Sequence, residues 1–452
     1  MPDNSIFALS SGKGRSGIAI IRISGPATDA TLSTLLFRKI SGLPPYRTAS
    51  LMPIFNPNNM EKLDEAIIIR FAKPKSFTGE DVAELHLHGG SAVINSVLSV
   101  LEQFSELRVA EPGEFTRRAF ENGLLDLTEV EGLADLINSE TEMQRRQAVK
   151  QMEGGLGKLY GKWRETIVNS LAYLEANIDF SEAELSSEEL TKFLRPAFML
   201  TGEIKAYLND GHRGELLRDG IRIAIIGAPN TGKSSLLNAI VNREVSIISD
   251  IPGTTRDVLE AQMDIGGYPM LFADTAGIRY SGEAIEKEGI RRAKAHANAA
   301  DLRILVVDAT HPKTWDAISN FFHKNDIVVI NKIDVAPNSQ LKIESDSTII
   351  KTSAKTGDGI DRLIEHLKVW AKEATGRIAS EAPALTRARH RKELELCVKH
   401  LEIAAKLWKT QGEDEITAEE TRLAARALGR ITGGIEVEDL LDVIFRDFCI
   451  GK

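Results

Sequence analysis

Gly227-Ala-Pro-Asn-Thr-Gly-Lys-Ser234 is the stretch of this 452-residue chain with the most legible chemistry. Two glycines bound a short loop that holds Asn230 and Thr231 and runs through Gly232, Lys233 and Ser234 into Ser235. Backbone N–H groups of such a loop, with the N-terminus of a following helix, hold phosphate oxygens. A lysine adds a point charge and a serine hydroxyl ligates Mg²⁺. The loop needs a buried strand before it and a helix after it. Ile221-Arg-Ile-Ala-Ile-Ile226 reads as that strand, and Ser235-Leu-Leu-Asn-Ala-Ile240 reads as that helix.

Four further motifs follow in order. Gly253-Thr-Thr-Arg-Asp257 is a glycine-flexed loop in which Thr255 completes a Mg²⁺ shell. Asp274-Thr275-Ala276-Gly277 follows the apolar Pro269-Met-Leu-Phe-Ala273; its aspartate reaches Mg²⁺ through water, and Gly277 offers an N–H to the terminal phosphate. Asn331-Lys332-Ile-Asp334 follows the strand Ile327-Val-Val-Ile330. A carboxylate at Asp334 accepts from the ring N–H and exocyclic amine of guanine, donors that adenine lacks there. Ser353-Ala354-Lys355 caps the base through its backbone. Each motif alone is also compatible with a glycine turn in an ordinary α/β sheet. All five in sequence predict a guanine-nucleotide site.

The hydrolytic machinery is less ordinary. After Gly277 stands Ile278, where a glutamine would orient the attacking water, so another group must do it. Glu283, Glu286 and Glu288 are the acidic candidates downstream. Arg256 and Arg279 lie nearby, either as charge donors or as solvated surface groups. The side-chain oxygen of Asn230 sits beside the phosphates, where a monovalent cation would replace an arginine finger.

The length suits about three domains. Lys plus Arg total 56 against 65 Asp plus Glu, a net charge of −9. That balance argues against broad, sequence-blind affinity for nucleic acid or an acidic membrane, though not against a local basic face. Two cysteines, Cys397 and Cys449, suit a reducing cytosol. The N-terminus lacks a signal pattern, and no apolar run reaches the ~18 residues of a span. The expectation is a cytoplasmic chain with no membrane partner.

The elements that must position these residues change period along the chain. Strands are expected at Gly17–Ser24, Ala66–Phe71 and Val82–His88, with a helix from Ser91 to Leu101. In Val82–His88, Glu84, His86 and His88 share one face: either a metal face or, better matched to the missing further ligands, a polar strand face lining a pocket. From about Leu124 the period becomes helical. Asp126-Leu-Thr-Glu129 has the form of a capping box. Leu156, Leu159, Trp163, Ile167, Leu171, Leu174 and Ile178 form one apolar stripe of a long helix. Beyond the nucleotide motifs come a helix at Gly359–Lys368, a linker at Ala379–Pro383, a helix carrying Leu394 to Leu407, another opened by Thr417, and a third over Val437–Phe448. The tail Cys449-Ile-Gly-Lys452 has its cysteine fourth from the end, but its Gly and Lys do not suit prenylation. Cys449 is either a packed small hydrophobe or part of a site with Lys452.

Taken together, these motifs, with Pro112-Gly-Glu-Phe115, Ser76-Phe-Thr-Gly-Glu-Asp81 and the Cys-Ile-Gly-Lys terminus, resemble the MnmE (TrmE) family, GTPases of bacterial tRNA wobble-uridine modification. The resemblance covers the whole chain. It implies a multidomain fold: an α+β N-terminal domain (1–119) that binds a tetrahydrofolate and dimerises, an all-α helical domain in two parts (120–215 and 379–452), and an inserted α/β P-loop GTPase domain (216–378). It implies a homodimer, a complex with the flavoprotein MnmG (GidA), and tRNA as substrate. It also implies transfer of a one-carbon unit from methylene- or formyl-tetrahydrofolate, so that a carboxymethylaminomethyl or aminomethyl group is added at uridine C5. By position, Arg22, Glu84 and Lys452 match folate-pocket residues, and Leu124 stands where some members carry a contributing lysine. Ser234 and Thr255 match Mg²⁺ ligands; Asn230, Ser249, Ile251 and Thr254 match a K⁺ site, with Asp250, Pro252 and Gly253 in the same GTP-binding loop. Glu286 matches the residue that orients the hydrolytic water, and Arg256 and Cys449 complete the expected catalytic set. The competing readings are a ribosome-assembly GTPase acting as an RNA-binding switch, against which stand the acidic balance and the lack of a Gly-x-x-Gly loop in a basic tail, and a folate carrier or sensor.

Overall fold

The computed structural model describes residues 4–12, 14–179, 187–243, 246–247, 260–274, 297–323, 325–337, 348–376, 383–410, 413–435, 441, 444–445, 448 and 450–451. The chain divides into two compact units, Met1–Ala134 with Gly157–Glu165 and Ala425–Lys452, and Asp135–Leu156 with Thr166–Ala424.

The first unit is built on a six-stranded sheet in the order β3-β4-β5-β2-β1-β6. Its strands are β1 (Ser5–Leu9), β2 (Ile18–Ser24), β3 (Ser50–Phe55), β4 (Lys62–Phe71), β5 (Val82–His88) and β6 (Leu107–Val109). β2 lies antiparallel between β5 and β1, while β6 joins β1 in parallel. Alternation decides which face is buried. Ile21, Ile23, Ile68, Leu85 and Leu87 point into a core with Leu32 and Leu35 of α1 (Thr28–Leu35) and Val97 and Leu101 of α2 (Ser91–Leu101). On the opposite face, Phe115 of α3 (Glu114–Glu121) packs with Ile6 and Ala8 of β1. Toward the β3–β4 edge the same face is exposed: Leu51 and Ile67, cross-strand partners, are 66% and 40% exposed.

The expected capping box at Asp126 is present. Its carboxylate accepts from the N–H groups of Thr128 (2.7 Å) and Glu129 (3.0 Å), and Glu129 accepts from the Asp126 N–H at 2.8 Å. It opens α4 (Leu127–Ile137), which is followed by α5 (Glu142–Met152), capped by Thr141. The long helix α6 spans Gly155–Asp179. Leu156, Trp163, Ile167, Leu171 and Leu174 are buried in it as expected, and Tyr160 is fully buried where Leu159 is only partly so.

In the second unit, Leu171 and Leu174 pack with Leu190 and Leu194 of α7 (Ser187–Leu208) and with Ala418. A short α8 (Arg213–Asp219) leads into a seven-stranded sheet ordered β13-β12-β11-β7-β10-β9-β8. These strands are β7 (Ile221–Gly227), β8 (Ser246–Ile247), β9 (Glu260–Ile265), β10 (Tyr268–Asp274), β11 (Leu302–Asp308), β12 (Ile327–Asn331) and β13 (Thr348–Lys351). β7, β10, β11, β12 and β13 run parallel and β9 turns back antiparallel on β10. Near-continuous burial of β7, β11 and β12 is what a sheet covered on both faces requires. α9 (Lys233–Val241) and α10 (Ile360–Ala374) pack on one face through Leu236, Ile240, Leu363 and Leu367.

After the sheet come α11 (Ala388–Lys409), which packs against α7, and α12 (Asp414–Thr432). The expected opening of this last helix at Thr417 is corrected: it begins at Asp414, and the buried Thr417 hydroxyl donates back to the Glu413 carbonyl. Of the expected linker only Pro383 is described, and the expected helix at Val437–Phe448 lies mostly outside the described residues. Among the described residues no helix is long and apolar enough to cross a membrane.

Candidate functional site

The phosphate loop leaves the C-terminal end of β7, whose sheet neighbours are β10 on one side and β11 on the other. A strand flanked by connections running in opposite directions opens a crevice at its C-terminal end, where open α/β sheets take their ligands. Asn230 and Gly232 have φ of +61° and +90°, and the left-handed turn at Gly232 directs the chain into α9 at Lys233. A Cβ on Gly232 would lie 2.4 Å from the Asn331 amide, so glycine is required twice over. The Thr231 hydroxyl donates to the Ala228 carbonyl at 2.9 Å, and Lys233 Nζ donates to the carbonyls of Gly227 (2.8 Å) and Ala228 (3.0 Å). Lys233 is buried, while Ser234 and Ser235 are exposed on the first turn of α9. Asp274 ends β10 in register with Ile225 of β7, which brings its backbone to the same sheet edge.

Asn331 holds three loops together. Its Nδ2 donates to the Thr231 carbonyl at 3.0 Å, and its Oδ1 accepts from the Ala354 N–H at 3.0 Å. The phosphate loop, the Asn-Lys-Ile-Asp segment and the Ser-Ala-Lys segment are thereby locked to one buried side chain. Lys332, at φ +67°, donates to the Asn230 carbonyl (2.6 Å) and to Asp308 (2.7 Å). Asp308 is a site residue that motif reading missed. Burial pushes its carboxyl up, but bonds from Lys332 and Thr310 outweigh that and hold it below the usual carboxylate range. Its one sequence signal is an acid closing the apolar run Ile304–Val307. Asp334 is oriented by the Ser353 hydroxyl, which donates to its Oδ1 at 2.7 Å. Ser353 is fully buried and Lys355 is exposed, so the Ser-Ala-Lys segment contributes backbone and one hydroxyl rather than its lysine.

Ser249, Asp250, Ile251, Pro252, Gly253, Thr254, Thr255 and Arg256 lie outside the described residues. So do Thr275, Ala276, Gly277, Glu286, Cys449 and Lys452. Of the expected K⁺ and Mg²⁺ ligands, Asn230 and Ser234 are therefore the described ones. Both face solvent beside the phosphate loop, and an amide oxygen and a hydroxyl are donors that fit those hard cations.

The second polar constellation is in the first unit. Arg22 and Glu84 are cross-strand partners of β2 and β5, and the guanidinium donates to Glu84 Oε1 through Nη2 (2.8 Å) and Nε (3.1 Å). The rings of Phe77 and Phe115 lie 5.2 Å and 5.6 Å from Arg22 Cζ. His86 Nε2 is 3.3 Å from Glu84, whereas His88 turns to Asp64 at 2.7 Å. Glu84 and His86 are thus engaged with Arg22 and with each other, and among the described residues no group of three His, Cys, Asp or Glu side chains could hold a metal ion.

The two N-terminal motifs meet here, which their spacing did not show. Arg118 donates to Glu80 (3.0 Å) and to Glu114 (2.9 Å), and Glu114 also pairs with Arg108. Burial pushes the Glu114 carboxyl up, and the bonds from Arg108, the Glu111 N–H and Arg118 outweigh it and hold it low. The C-terminal tail docks nearby: Ser10 Oγ donates to the Gly451 carbonyl at 2.7 Å, and Ile450 bridges Pro112. Leu124 lies beside Gly79 and is 41% exposed. Cys397 of α11 is fully buried, and burial pushes its thiol up to about 12.

Two family models match this chain. Residues 5–124 match the family described as GTP-binding protein TrmE N-terminus, and residues 127–449 match the MnmE helical domain. A tRNA modification GTPase MnmE from Parvibaculum lavamentivorans is 52% identical over 99% of this chain and 100% of its own length. One from Caulobacter vibrioides is 45% identical over 99% of this chain and 100% of its own. The mitochondrial 5-taurinomethyluridine-[tRNA] synthase subunit GTPB3 of Danio rerio is 43% identical over 100% of this chain and 93% of its own.

Proposed function

This chain belongs to the MnmE (TrmE) family, and on that premise we propose that it is a GTP hydrolase of tRNA wobble-uridine modification. The observation that carries the reading is the joint geometry of Asn331 and Asp334. One buried amide ties the phosphate loop to both base-side loops, and a carboxylate pre-oriented by Ser353 waits where guanine presents two donors. A carboxylate that need not reorganise on binding discriminates more strongly than a free one.

The nucleotide domain corresponds to residues 216–378, set between helical segments 120–215 and 379–452, with residues 1–119 in front. GTP lies with its phosphates on Gly227–Ser235 and its base between Asp334 and Ser353–Lys355. Mg²⁺ on Ser234 and Thr255, and K⁺ on Asn230, Ser249, Ile251 and Thr254, supply when bound the positive charge that phosphoryl transfer needs. Glu286 orients the water, Arg256 adds charge nearby, and Asp250, Pro252 and Gly253 belong to the same GTP-binding set. The N–H of Gly277 donates to the terminal phosphate. Pairing of nucleotide domains in a homodimer organises these loops, and hydrolysis releases the pair.

At the second site, Arg22, Glu84 and Lys452 hold a tetrahydrofolate derivative, the source of the one-carbon unit. The Arg22–Glu84 pair offers a heteroaromatic ring both donors and an acceptor, with Phe77 and Phe115 alongside. The flavoprotein MnmG supplies redox power, and Cys449 is the candidate thiol of this chemistry.

One experiment tests the reading. Nucleosides of tRNA from a bacterial strain lacking its own member of the family are analysed by mass, with and without this chain expressed. Restoration of the modified wobble uridine is the expected result. Unmodified uridine despite folded, GTP-hydrolysing protein overturns the assignment.

A further inference from the structure

In a chain of net charge −9, the loop from Leu36 to Ala49 carries Arg38, Lys39 and Arg47 and no carboxylate. The loop after β4 carries Lys73 and Lys75 before its first acid, Glu80. The two loops touch, because Arg47 Nη2 donates to the Lys75 carbonyl at 2.6 Å and the Arg47 N–H donates to the Arg70 carbonyl at 2.7 Å. All five cations are exposed, and none forms an ion pair among the described residues.

The acids close to them are engaged elsewhere. Asp29 holds Arg70 and Tyr46, Glu80 holds Arg118 and Ser24, and Asp81 accepts from the Lys73 N–H at 3.0 Å. Two aromatic rings flank the cations: Tyr46 is 43% exposed and Phe77 is 37% exposed. Phe77 is also the ring beside Arg22, 5.2 Å from its guanidinium carbon, so the loop that carries Lys73 and Lys75 reaches the Arg22–Glu84 pair.

We propose that this rim is the surface that receives the single-stranded loop of the tRNA. Arg47, Lys73 and Lys75 take its phosphates, Tyr46 and Phe77 stack its bases, and a uridine is delivered beside the Arg22–Glu84 pair. The proposal rests on the tRNA reading above and adds where the RNA sits. Cations interleaved with exposed rings are what unpaired RNA requires, since every base has a face to stack and every nucleotide a charge to neutralise. An acidic ligand tail would use the cations and gain nothing from the rings. The net charge of −9 gives RNA no broad attraction to the chain as a whole.

The test uses the full chain and an RNA hairpin with the sequence of an anticodon arm carrying a wobble uridine, titrated over a range of salt. The triple variant R47A/K73A/K75A should bind at least about tenfold more weakly. Its log–log salt slope should fall by about 2, since each lost contact to single-stranded phosphate removes about 0.7. Lys73→Arg with Lys75→Arg should restore both. Phe77→Leu should weaken binding by about tenfold with the slope unchanged, the signature of lost stacking. GTP hydrolysis by the triple variant should equal that of the parent, which shows that the chain is folded. Equal affinity and slope for parent and triple variant overturns the proposal. So does a triple variant that loses polyglutamylated folate while keeping RNA, which assigns the rim to an acidic small ligand. Absence of hairpin binding by the parent chain overturns the tRNA reading itself, a different result from equal binding by both.

Discussion

The two polar sites are made of different material. The nucleotide site is mostly main chain: loops at the C-terminal ends of parallel strands, set by φ at Asn230, Gly232 and Lys332 and locked by one amide. The N-terminal site is mostly side chain: Arg22, Glu84, Glu80, Glu114 and Arg118 reach one another across antiparallel strands and a helix. A main-chain site fails when backbone conformation is denied to it. A side-chain site fails when one partner of an ion pair is removed or protonated. Each kind can be attacked where the other is insensitive.

The largest effect is expected from Gly232→Ala. The added Cβ would face the Asn331 amide at 2.4 Å, and alanine resists φ near +90°. Strain of about 1–2 kcal/mol for the left-handed backbone, with the clash added, lowers nucleotide affinity by at least about a hundredfold. Titration with a fluorescent GDP analogue measures it. A Gly232→Ala protein with near-parent affinity would mean that the loop is plastic and that the site does not depend on its backbone as argued.

The same contrast decides what could be read from sequence. Gly227–Ser234, Asn331–Asp334 and Ser353–Lys355 are contiguous because backbone loops are contiguous, so the nucleotide site was visible before any fold was known. Arg22 and Glu84 are 62 residues apart and meet through strand register, whereas Arg118 of α3 and Glu80 of the loop before β5 are 38 apart and meet only through the tertiary fold. Resemblance pointed to Arg22 and Glu84, but no periodicity pointed to Arg118 or Glu114. Asp308 stayed hidden because an acid after an apolar strand has no distinguishing spacing. Among the elements, β1 is a short, almost fully buried run without alternation. β3 carries Pro53, which a sheet tolerates only at an edge. The strongly patterned β2, β5, β7 and α6 were legible for the opposite reason.

An intermediate effect is expected from Glu114→Gln. The parent carboxyl is held below its ordinary value near 4.5, so the unfolded chain binds the proton more tightly than the folded one. Its stabilisation is therefore fully present above about pH 4.5 and is lost as pH falls through the lower, folded value. The variant removes a buried acceptor from Arg118 and Arg108, costing about 1–3 kcal/mol at neutral pH, and lacks that acid-side slope. Hydrogen exchange at the amides of α3, parent against variant at each pH, should show a difference that is wide near pH 7 and narrows in acid. A difference constant with pH would show that Glu114 acts by packing alone.

The smallest effect is expected from Ser10→Ala, and it probes the point where the contrast is least sharp. The tail is held by a side-chain hydroxyl, Ser10 Oγ to the Gly451 carbonyl, and by a backbone bridge between Ile450 and Pro112. Gly451 fits only as glycine: its φ is +98° and a Cβ would meet the Leu9 carbonyl at 2.1 Å. Removing the hydroxyl costs one neutral hydrogen bond, about 1 kcal/mol, which raises the population of undocked tail about fivefold. Exchange at the Ile450 and Gly451 amides should quicken by that factor, and Ser10→Thr, which keeps the donor, should restore it. Exchange that does not change would mean that the backbone bridge alone seats the tail. In that case the N-terminal unit, like the nucleotide domain, relies on main chain where it fixes its last residues, and side-chain pairing is confined to the Arg22–Glu84 and Arg118–Glu114 clusters.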